Sequence, residues 1–216
     1  MAHKFVVDVD VELDPMNPRT CFDHVGIIAV PDRCKYVDNE TVPAFDFTGD
    51  REQDIAKLKS EFDAVVIVPL YALDHSVLHV RTTPFSDHWD SGQIGWVYAT
   101  KQSIDMCFGS DISDQSDFVA RVTEAISQEI DTYDCYLNGE VYCFTISEFD
   151  DKSGSWAELE HGGGYYSRED AESDAYSVLR SIRKHRDRRD FPLFIATGVP
   201  IPECEEAMDE RTKSTV

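Results

Sequence analysis

The amino-acid sequence predicts a single α+β domain with a mainly antiparallel sheet and about three helices. Candidate hairpins are mixed with single helices, and the chain lacks regular β-α-β alternation, which favours antiparallel pairing. Residues 4–13 alternate apolar and charged side chains with Val6 as the one exception, whereas residues 64–70 form a continuous apolar run. One strand with a solvated face and one strand buried on both faces are therefore expected.

The first half of the chain holds most of the predicted strands. A proline-rich turn at 14–18 ends the first strand. A short amphipathic helix is expected at 50–62, because Ile55, Leu58 and Phe62 share one face and acidic residues occupy its first turn. The other strands of this half are predicted at 26–30, 64–70, 77–82 and 93–100.

The second half begins with the longest predicted helix, which starts at Ser113 or Asp114 and runs to about Leu137. Its apolar residues recur every three or four positions, as on one face of a helix. Asn138-Gly139 reverses the chain into a hairpin of strands at 140–148 and 155–160.

The glycines at 162–164 are interpreted as a flexible segment before the last helix. Ser167 is the expected N-cap of that helix, with Asp170 three residues further on. A short strand follows at 193–197. The predicted domain spans residues 1–202, and residues 203–216 form a polar C-terminal tail.

Charge is the dominant feature of the composition. The chain has 42 acidic and 20 basic residues, and its formal net charge is −22. Such a molecule repels nucleic acids and anionic membranes, so neither is predicted as a direct ligand. Three interpretations of the acidity stay open: solubility, adaptation to high salt, and imitation of a nucleic-acid backbone.

The chain has no apolar run near the roughly 20 residues that span a bilayer, and its N-terminus lacks the pattern of a secretory signal. Its six cysteines form no C-x-x-C pair, and their spacing fits neither a zinc ribbon nor a disulfide framework. Reduced thiols in the cytoplasm are expected, without a metal or another cofactor.

Two predicted loops hold the densest group of reactive side chains. An enzymatic interpretation assigns catalysis to Asp74, His75, Asp87, His88, Asp90 and Ser91 as nucleophile, base and orienting acid. The same loops could supply metal ligands, from His75, His79, His88, Asp87 and Asp90. A third alternative is purely structural, since Asp and Ser before Gly form turns with their own backbone.

A basic cluster closes the last helix, where Lys and Arg complement the helix dipole. An intramolecular or homodimeric ion-pairing role is expected for it, and the partner prediction therefore allows a homodimer. The cluster consists of Arg180, Arg183, Lys184, Arg186, Arg188 and Arg189.

Four stretches together resemble a family of small proteins carried by phages and plasmids. They are D-H-V-G at 23–26, L-Y-A-L-D-H-S at 70–76, the W-D-S-G-Q-I-G region within 82–98, and the Y-x-x-Y-L-N-G-E-V-Y region within 129–142. The similarity covers about residues 20–160. This chain departs from the pattern at Val77 and Cys143, where the family has glycine.

The resemblance implies a mobile-element origin and transfers no activity. By analogy with small acidic proteins of that origin, it suggests action against host defence enzymes. It also singles out the residues at 74–75 and 89–93 as the signature of the family.

The first hypothesis is therefore an acidic interaction protein that binds a host protein with a basic surface in the host cytoplasm. It would block a nucleic-acid-binding or defence enzyme, with nucleic-acid mimicry as one mechanism. The expected contact residues are Trp89, Gln93, Asp111, Asp114, Asp117, Glu124, Glu129 and Asp131. A hydrolase or metal-dependent enzyme built on the 74–76 and 87–93 loops is the alternative, and a structural or regulatory accessory protein is the third.

Overall fold

The computed structural model describes residues 4–37, 45–86, 89–109, 112, 116–185 and 193–195. Contacts divide the chain into two compact units. The split unit comprises Met1–Pro15 and Glu140–Val216, and the inserted unit comprises Met16–Gly139. The predicted α+β class is confirmed, but the described residues form two sheets, and they contain five α-helices rather than about three.

The inserted unit contains a four-stranded antiparallel sheet with the strand order β2-β5-β3-β4. A short 3-10 helix covers Asp32–Val37. The strands are β2 (Ile27–Ala29), β3 (Ala64–Asp74), β4 (Leu78–Arg81) and β5 (Ser91–Thr100), and the α-helices are α1 (Pro18–Cys21), α2 (Arg51–Glu61), α3 (Lys101–Phe108) and α4 (Phe118–Leu137).

Strand β3 has apolar residues on both faces because helices cover both faces of this sheet. Val66, Val68 and Leu70 lie in one core with Ile126 and Ile130 of α4. On the opposite face, Leu58 of α2 packs with Ala64, Trp96 and Tyr98. The continuous apolar run in the sequence thus records burial in a three-layer arrangement of helix, sheet and helix.

Two short helices raise the count from about three to five, and the second of them covers residues 101–108, where the sequence predicts one or two helical turns. Helix α1 has only four residues, too few for a periodic apolar pattern, and it begins with Pro18 after the Asn17 cap. Helix α3 has eight residues and starts with a capping box between Thr100 and Ser103. Helix α4 begins at Phe118, later than Ser113 or Asp114, and residues 113–115 lie outside the described residues.

The split unit has the sheet order β7-β6-β1-β8. Its pairs are antiparallel except for β1 and β8, which run parallel. Phe5, Val7 and Val9 of β1 are buried, while Asp8 and Asp10 are exposed, as the alternation predicts. The elements are β1 (Phe5–Val11), β6 (Tyr142–Asp150), β7 (Ser155–Tyr165), α5 (Arg168–His185) and β8 (Leu193–Ile195).

Helix α5 covers one face of the split unit's sheet. Its residues Ala171, Ala175 and Leu179 pack with Phe144 and with the buried side chains of β1. Ser167 is confirmed as a cap, since its hydroxyl accepts a hydrogen bond from the Asp170 amide at 3.0 Å.

The glycine segment at 162–164 belongs to β7 and is not a flexible linker. A Cβ at Gly162 would lie 2.5 Å from the Phe144 ring, so glycine provides the space for that ring. The prediction of a flexible segment was wrong because a run of glycines does not show that Phe144 of the neighbouring strand lies against Gly162.

The predicted single domain over residues 1–202 and the polar tail over 203–216 stay predictions, since residues 196–216 lie outside the described residues. Among the described helices, none has the length and apolar composition needed to cross a membrane.

Substitution of Gly95 by alanine is expected to destabilise the inserted unit by about 1–3 kcal/mol or more. A Cβ at Gly95 would lie 2.3 Å from the Ala29 carbonyl oxygen, so β2 must move away from β5. Gly92→Ala in the same strand is the matched control, because nothing lies within 4 Å of its added Cβ. Urea unfolding measures both variants, and equal losses of stability would contradict this packing account.

Stability should fall as the pH rises from about 10 to about 12. The Tyr165 hydroxyl donates a hydrogen bond to the Asp174 carboxylate. Burial and then Asp174 raise the pKa of Tyr165 to about 12, above its ordinary value of about 10. Between these values the unfolded state loses a proton that the folded state keeps, so folding is disfavoured.

Urea unfolding at several alkaline pH values should show a steeper loss for the parent protein than for Tyr165→Phe. The difference between the absorbance titrations of the parent and Tyr165→Phe reports the Tyr165 phenol alone, and this phenol should ionise near pH 12. Ionisation at the ordinary value would disprove this coupling.

Candidate functional site

The two loops that the sequence singles out come together at one end of the inserted unit's sheet. Strands β3 and β5 pair antiparallel with Leu73 opposite Ser91, so residues after one strand lie beside residues before the other. The Asp74 amide donates to the Asp90 carbonyl at 3.0 Å. The imidazole Nδ1 of His75 lies 2.9 Å from Oδ2 of Asp90.

This His75–Asp90 pair has the orientation of a base and its positioning acid, because the carboxylate holds Nδ1 and leaves Nε2 on the other side of the ring. The pair is open to solvent, with 76% of the His75 side chain and 43% of the Asp90 side chain exposed. Water screens such a pair and weakens its effect on a reacting group. Asp87 and His88 of the predicted catalytic set lie outside the described residues.

Two predicted contact residues in this region have different surroundings. The Trp89 side chain is 96% exposed. The Gln93 amide donates to the Gly95 carbonyl at 3.0 Å within its own strand. Trp89 is therefore presented to solvent, whereas Gln93 is engaged in the sheet.

Helix α4 presents the main group of predicted acidic contact residues. Asp117 at its N-cap, Glu124 and Asp131 are exposed and follow one another at intervals of seven residues. Seven residues are close to two helical turns, so the three carboxylates lie along one side of the helix. Asp111 and Asp114 lie outside the described residues.

Glu129 on the same helix has an internal role. Its Oε1 accepts a hydrogen bond from the Val25 amide at 2.6 Å, and its Oε2 accepts one from the Gly26 amide at 2.9 Å. Arg19, which is 3% exposed, lies 3.8 Å from the same carboxylate and donates to the Gly26 carbonyl at 2.7 Å. These contacts fasten α4 to the segment before β2, so Glu129 positions the acidic side of the helix.

Asp134 makes a second attachment near the end of α4. Its Oδ1 accepts a hydrogen bond from the Val80 amide at 2.7 Å, and its Oδ2 lies 3.3 Å from Nδ1 of His79. His79, a candidate metal ligand in the sequence, is thus paired with α4. Asp131 is exposed, but partial desolvation by its neighbours, followed by the charge of Asp134, raises the pKa of its carboxyl above the ordinary value.

A cleft of about 310 Å³ lies beside α4. A neighbouring cleft of about 280 Å³ shares Phe22, Asp23 and His24 with it, so this short segment borders both. The apolar lining of the second cleft includes Phe22 and Met106, which are 55% and 65% exposed. No site is predicted here from the sequence, whose one signal in this region is the D-H-V-G stretch at 23–26.

Negative charge surrounds the thiol of Cys107 in this part of the unit. Burial raises its pKa, and the carboxylates of Glu129 and Asp23 raise it further. A thiol with a raised pKa stays protonated at neutral pH and is a poor nucleophile. Thiolate chemistry at Cys107 is therefore disfavoured.

The His, Cys, Asp and Glu side chains of the described ranges form neither a metal centre nor a disulfide. No group of three His, Cys, Asp or Glu side chains in that part of the chain is placed to hold a metal ion. None of the five cysteines that the structure describes forms a disulfide. Cys204 lies outside those residues.

Comparisons with protein-family models, with curated proteins and with solved structures find no match to this chain. The family resemblance of the four sequence stretches therefore remains an expectation.

Glu129→Gln is expected to lower the free energy of unfolding by about 2–3 kcal/mol. An amide side chain has one acceptor oxygen for two backbone amides, and it no longer neutralises Arg19. Glu124→Gln is the matched control on the same helix, and it should change stability by no more than about 0.5 kcal/mol. Urea unfolding compares the two variants, and equal stability would show that the Glu129 contacts do not fasten α4.

Proposed function

We propose that this protein binds a host protein with a basic surface through the acidic side of α4. The single observation that carries the proposal is the exposed series Asp117, Glu124 and Asp131. The formal net charge of −22 adds a long-range attraction, which raises the rate at which a cationic partner is met.

The second cleft, which shares Phe22, Asp23 and His24 with the cleft beside α4, supplies chemistry that a pattern of charge alone lacks. Exposed Phe22 and Met106 offer apolar contact area next to the carboxylate of Asp23. Interfaces draw most of their binding energy from a few apolar or aromatic anchors, while peripheral charges set orientation and association rate. A partner that presents Lys or Arg next to an apolar side chain fits this combination.

Spacing favours a protein-binding role over close imitation of a nucleic-acid strand. Carboxylates seven residues apart on a helix are separated by about 10.5 Å along its axis. A DNA strand carries one phosphate per about 3.4 Å of helix axis. Arg121, also exposed, lies between Asp117 and Glu124 in sequence and reduces the local negative charge. Mimicry of a nucleic-acid strand would need a closer spacing of negative charges than this helix provides, whereas binding to a basic protein surface does not.

The mobile-element resemblance supports a host defence or nucleic-acid-binding enzyme as the partner class. We place this encounter in the host cytoplasm, and the proposed mode of action is obstruction of the partner's basic surface. No catalytic step by this chain is needed for that mode of action.

Reversing the three exposed charges on α4 should weaken partner binding about tenfold or more. The test variant carries Asp117→Lys, Glu124→Lys and Asp131→Lys. The control variant carries Asp14→Lys, Glu61→Lys and Asp151→Lys, which makes the same change in net charge at other exposed positions. Each tagged protein captures partners from a lysate of the host cell, and the captured protein is then purified and titrated.

Capture by the parent and the control, but not by the α4 variant, is the expected result. Equal loss in both variants would mean that overall acidity, and not α4, is responsible. Competition between this protein and the partner's own nucleic acid then tests mimicry.

Hydrolysis is a second candidate function, favoured by the 2.9 Å contact between His75 and Asp90. In that case Nε2 of His75 would accept a proton from water, and Asp90 would hold the ring in place. A catalytic role predicts that His75→Asn lowers turnover by about 10²-fold or more. His161→Asn is the control, since His161 is also exposed but lies in the split unit.

A panel of ester and phosphodiester substrates provides the assay for these two histidine variants. Turnover that survives in His75→Asn would remove the basis for this second function.

A further inference from the structure

The exposed side of α5 has its charges separated along the helix. Asp170 and Asp174 lie in the first half, and Arg180 and Lys184 lie in the second half; all four residues are exposed. The opposite side packs on the sheet of the split unit through Ala171, Ala175 and Leu179. The charged side therefore faces away from the core of its own unit.

Small residues are interspersed with the charged residues along this side of the helix. Ser173, Ser177 and Ser181 are exposed and follow one another at intervals of four residues. At 100° per residue, these serines and the four charged residues all fall within about 60° of the direction of Ser177. They form one continuous surface, which we call the α5 face.

We propose that the α5 face binds the same face of a second copy of this chain, with the two helices antiparallel. A two-fold axis through Ser177 sets each residue opposite the residue equally distant from position 177. Asp170 then faces Lys184 of the second copy, and Asp174 faces Arg180. Symmetry repeats both pairs, so the interface contains four pairs of opposite charge.

Charge complementarity identifies a second copy as the occupant. A parallel arrangement would place acid against acid and base against base, so it is disfavoured. The antiparallel arrangement uses the same surface on both subunits, which is the property of a closed two-fold dimer. Ser177 at the centre, with Ser173 and Ser181 four residues to either side, allows the helix axes to approach to about 8 Å, the lower end of ordinary helix packing.

The size of the face predicts a reversible dimer. Residues 170 to 184 span about 21 Å of helix, which offers less area than the roughly 800 Å² per partner of a standard stable interface. Exposed ion pairs contribute about 0–1 kcal/mol each. The net charge of −22 on each copy opposes association, and salt near 0.15 M screens that repulsion beyond about 8 Å while contact pairs persist.

Sedimentation velocity of the full chain over a series of protein concentrations tests the proposal at that salt concentration. The parent protein should show a monomer–dimer equilibrium. Arg180→Glu with Lys184→Glu makes the face acidic throughout, whereas Asp170→Lys with Asp174→Lys makes it basic throughout. Each double variant alone should remain monomeric, and an equimolar mixture of the two should form a heterodimer.

The basic-face variant separates local pairing from overall repulsion. Its net charge is less negative than that of the parent protein, so general electrostatics would strengthen its self-association, whereas the pairing scheme abolishes it. Tyr165→Phe is the matched control for Asp174, because it removes the tyrosine hydrogen bond to that carboxylate and leaves the face intact. This control should dimerise like the parent.

Circular dichroism checks that each variant is folded before it is compared. A parent protein that stays monomeric at all concentrations would overturn the proposal. Undiminished dimers of both double variants, or a mixture that does not restore dimerisation, would overturn it as well.

Discussion

The contact of Glu129 with two backbone amides fixes the surface on which the proposed function depends. One carboxylate satisfies the amides of Val25 and Gly26 and also neutralises the buried Arg19. Gly26 has no space for a side chain, since a Cβ would lie 2.8 Å from Val97 and 3.0 Å from Glu129. The Glu129 side chain thus accepts the backbone hydrogen bonds that a neighbouring strand would accept just before β2. These bonds set the orientation of α4.

Acidic residues on α4 therefore divide into two groups with different effects. Glu129 and Asp134 bind backbone amides and hold the helix, while Asp117, Glu124 and Asp131 remain exposed. Only the second group can attract a partner. The total charge of a helix is therefore larger than the charge that it exposes to a partner. Asp54 of α2 is another example, because it is fully buried and accepts hydrogen bonds from Thr48 and Trp96.

Features governed by local periodicity were predictable from the sequence. The alternation in β1 and the stripe of α4 each record which side is buried, and both patterns are present in the structure. The roles of Glu129 and Asp54 were not predictable from the sequence. Their carboxylates bind groups that lie far away along the chain, such as the Val25 amide for Glu129 and the Trp96 indole for Asp54. The enzymatic alternative requires the loops that carry His75 and Asp90 to meet, and they do, but the high exposure of both side chains is set by tertiary structure.

The nested order of the two units has a consequence for biosynthesis. Strand β1 pairs with β6, whose first residue is Tyr142, so the nascent chain must hold its first strand unpaired while the entire inserted unit is made. The inserted unit is continuous and has all of its strands available earlier. Because domains generally fold as units during translation, it can fold on the ribosome first and shorten the gap that β1 and β6 must close.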